Sequence, residues 1–62
     1  MGAKLEACYK FVGDKGGLQF KMRLAVATGV PSTKAGETAD TPDIIAKFKT
    51  AIKEITGEMP PV

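Results

Sequence analysis

LEACYKFVGDKGGLQFKMRLAV, residues 5–26, alternates apolar and polar positions on both sides of a glycine-rich centre. Leu5, Ala7, Tyr9 and Phe11 recur at period two before the centre, and Leu18, Phe20, Met22, Leu24 and Val26 after it. Period two is the spacing of a strand with one buried face. Between the runs, Gly13-Asp14-Lys15-Gly16-Gly17 supplies the positive φ angles of a tight reversal. The stretch is therefore expected to form an antiparallel hairpin over about residues 4–26. Opposed residues share a face, which sets Phe11 against Leu18, Tyr9 against Phe20, Ala7 against Met22 and Leu5 against Leu24 as the core side. The other side then pairs Glu6 with Arg23, Cys8 with Lys21 and Lys10 with Gln19.

Downstream of a connection at about 27–41, residues 42–56 change to helical spacing. Ile44, Ile45, Phe48, Ala51, Ile52 and Ile55 form one apolar stripe. Thr41 suits the N-cap, Pro42 the first helical position, Asp43 the positive end of the helix dipole and Gly57 the stop. The tail, 57–62, ends in Met-Pro-Pro-Val, which cannot continue a helix, and is expected to stay loose.

The expected fold is α+β: one small ββα domain over residues 1–62, a hairpin covered on one face by the C-terminal helix. Two strands are rarely stable alone, and a chain of about 60 residues buries only roughly 60% of its unfolded surface. Cys8 is the single cysteine and histidine is absent, so neither an internal disulfide nor a Cys/His zinc site can supply the missing stability. Completion by dimerisation, two hairpins joining into one sheet, is therefore expected.

Composition is that of an ordinary globular chain, 44% apolar and 26% charged. No run approaches the roughly 20 apolar residues of a membrane span. The opening MGAKLEAC lacks the basic-then-apolar pattern of a secretory signal, and Glu6 stands where myristoylation expects Ser or Thr. A cytoplasmic setting with no membrane partner is the expectation. Net charge is +2, distributed as +3 over residues 1–26, −1 over 27–41 and zero over 42–62.

Chemistry-bearing residues are sparse. General acid–base work would fall to scattered Asp, Glu and Lys or to Tyr9, so no enzyme and no cofactor are expected. Cys8 lies among cations but has no resolving cysteine and no histidine base, and is read as a passive thiol. Tyr9, Phe11 and Phe20 are read as core. The best functional reading is a protein-interaction or assembly module acting as a homo-oligomer. Its alternative is a nucleic-acid-binding ribbon dimer, using Lys4, Lys10, Lys15, Lys21 and Arg23 on a basic hairpin face. A third reading is a phosphate or nucleotide binder using the 28–42 loop, TGVPSTKAGETADTP, through Ser32, Thr33 and Lys34. That loop lacks the G-x-x-x-x-G-K-[ST] order of a phosphate loop, because Lys34 follows Thr33.

Overall fold

Residues 5–26 fold as parts of two helices, so the expected hairpin does not form. The computed structural model describes residues 3–30 and 38–61. Among them the order is α1 (Ala3–Gly16), α2 (Leu18–Thr28) and α3 (Pro42–Thr56), each packed against both others. The described residues contain no strand, which corrects the α+β expectation to all-α and removes the shared-sheet dimer with it.

The physical reason lies in two patterns that coexist in the same residues. Leu5, Cys8, Tyr9 and Val12 stand at i, i+3, i+4 and i+7, which is one helix face, and all four are buried. Phe11, partly buried against the core beside that face, and Ala7, half-buried but about 200° from Leu5, made the same segment look like a strand. In α2, stepping two residues turns a helix by about 200°, so its alternating apolar residues divide into two rows. Phe20, Leu24 and Thr28 face inward, whereas Leu18, Met22 and Val26 face away from the core. Leu, Gln, Lys, Met, Arg and Ala, which dominate α2, are also strong helix formers. A helix satisfies its backbone hydrogen bonds locally, which a lone two-stranded ribbon cannot do along its edges.

The glycine-rich centre is the last turn of α1 and a one-residue joint. Gly17 has φ 75° and ψ −154°, a combination that is essentially glycine-only. Its N–H donates to the Gly13 carbonyl at 2.8 Å and its own carbonyl accepts from Lys21 N–H at 3.2 Å, so the chain reverses with little loss of backbone bonding.

α3 takes the span that its stripe and caps predict. The Thr41 hydroxyl accepts from Ile44 N–H at 3.2 Å, Pro42 opens the first turn, and Gly57 ends the helix in the left-handed conformation at φ 81°. Phe48, Ala51 and Ile52 are buried; Ile44, Ile45 and Ile55 pack at the margin.

The core joins these faces. Tyr9 and Phe48 meet edge to face, ring centres 5.5 Å apart at 74°. The Tyr9 hydroxyl donates to the Val30 carbonyl at 2.6 Å, and the Thr28 hydroxyl donates to the Leu24 carbonyl at 2.8 Å. Phe11 and Phe20 are partly buried against the same cluster. Asp40 acts at a distance in sequence: its carboxylate accepts from Lys4 N–H at 2.9 Å and Leu5 N–H at 3.4 Å, at the positive end of α1. The start of α1 is thereby fixed to the entrance of α3.

The tail differs from its expectation. Pro60 is buried, Glu58 pairs with Lys15, and Glu58 N–H donates to the Thr56 hydroxyl at 3.2 Å, so the tail is held against the bundle.

Cys8 lies in the core, not on a polar face. Burial raises its pKa above the ordinary 9.0, with Lys49 opposing and Asp40 adding to the shift. Burial also raises Tyr9 above 10.0, opposed by the Thr28 hydroxyl. Both groups hold their protons more tightly in the folded chain, so the unfolded chain releases them first as pH rises. These two groups are therefore expected to lower stability as pH rises through about 9 and beyond. Urea unfolding from neutral to strongly alkaline pH checks this, and a midpoint that stays level above the thiol's ordinary pKa contradicts it.

Candidate protein-interaction surface

α2 carries apolar side chains on two opposite faces. Leu24 is fully buried on one, while Leu18, Met22 and Val26 on the other expose 70%, 58% and 84% of their surface. The i, i+4, i+8 spacing sets these three in a continuous row along the helix. Gln19, Arg23 and Ala27 stand beside the row and with it line an open, shallow groove.

The cations of α2 are engaged with their own chain at the edges of this row. Lys21 folds back over α1, where a methyl added to Gly13 would meet its Cε at 2.5 Å. Arg23 lies over the Phe20 ring, 6.0 Å from its centre. The surface between them is uncharged, and α2 contains no acidic residue at all. A contiguous apolar row with a polar border is the chemistry of a docking face, in contrast to singly scattered apolar residues.

The residues expected to form a basic ribbon belong to two helices. Lys4 is at the start of α1 beside Asp40, Lys10 is exposed in its middle, and Lys15 in its last turn pairs with Glu58 and lies 5.5 Å from the Phe11 ring centre. Lys21 and Arg23 belong to α2. No hairpin among the described residues brings the five together, so there is no ribbon to enter a nucleic-acid groove. Ser32, Thr33 and Lys34, the candidate anion-binding residues, lie outside the described residues.

The residues of the exposed row were assigned to the core by the period-two reading. Their helical signal was present in the sequence: Leu18, Met22 and Val26 repeat every fourth residue, as Phe20, Leu24 and Thr28 do.

No helix among the described residues is long and apolar enough to cross a membrane. No protein-family model matches this chain, and no curated protein or solved structure matches it.

Proposed function

We propose that this chain is a protein-interaction module that docks through the outward face of α2. The observation that carries the reading is the exposure of Leu18, Met22 and Val26 in one row directly opposite the buried Leu24. The apolar residues of a soluble helix ordinarily lie on one enclosed face, and on α2 a second row of them is exposed. Helix-face recognition uses such i, i+4 anchors. The row accordingly serves association, while the fold rests on the inward face.

The test separates these two roles. The triple variant L18S/M22S/V26S is expected to keep the helical spectrum and to change unfolding free energy by about 1 kcal/mol or less, since exposed side chains add little to stability. It is also expected to lose most of its retention on a hydrophobic-interaction column at high salt. Unfolding of the variant, or unchanged retention, would assign the row to structure and end the reading.

A further inference from the structure

We draw no further inference here: the strongest candidate, the exposed apolar row of Leu18, Met22 and Val26 on the outward face of α2, is the surface already described, and nothing in the structure shows what covers it.

Discussion

Phe48→Ala is expected to destabilise the chain by about 3–5 kcal/mol, the largest loss from any single substitution considered. Phe48 is fully buried, is the largest side chain at the centre of α3, and meets the Tyr9 ring edge to face. Its removal takes away the apolar group, the aromatic pairing and the support of the cluster that includes Leu5, Leu24 and Ile52. A domain of this size is expected to have roughly 3–9 kcal/mol in total, so the variant should be largely unfolded near body temperature. Phe48→Leu, which leaves most of the volume filled, is expected to cost less than half as much. Urea unfolding followed by circular dichroism at the helical band measures both. A loss below about 1 kcal/mol for Phe48→Ala would mean that α3 does not seat its stripe on the other helices.

The second large effect discriminates between the two readings of the α2 sequence. Leu24→Ala is expected to cost about 2–5 kcal/mol, and Val26→Ala to stay within about 0.5 kcal/mol of the parent. In a strand, Leu24 and Val26 share a face, and their truncations would cost comparable amounts. In a helix they are about 200° apart, and here Leu24 is fully buried while Val26 is 84% exposed. Equal losses at the two positions, measured at concentrations where the chain is monomeric, would contradict the helix.

The C-terminal helix was legible from the sequence because every local signal agreed. Its apolar residues have period 3.6, its N-cap threonine precedes a proline, and its glycine stop lies just beyond the stripe. The N-terminal half was misread because its composition satisfies two periods at once. Phe11 beside α1's buried face and Ala7 on the side away from it complete an apparent alternation, and α2's outward row supplies the missing even-numbered positions. An exposed apolar row on a helix violates the rule that one face is apolar and the other polar. That violation, which defeated the fold reading, is the same feature that marks the candidate surface. Gly13, Gly16 and Gly17 reinforced the error, because a glycine-rich centre serves a helix joint at Gly17 as readily as a strand turn. Asp40 lies just before α3 in sequence, but its carboxylate accepts from the start of α1, 35 and 36 residues earlier in the chain, a contact with no local signature.

Backbone and methyl NMR of the chain with a soluble paramagnetic probe tests the central claim most directly. The account predicts helical Cα shifts through both Ala3–Gly16 and Leu18–Thr28, with the methyls of Leu18, Met22 and Val26 broadened by the probe and those of Leu24 protected. Extended shifts with cross-strand contacts between residues 5–11 and 18–24, or equal protection of Leu24 and Val26, would contradict it.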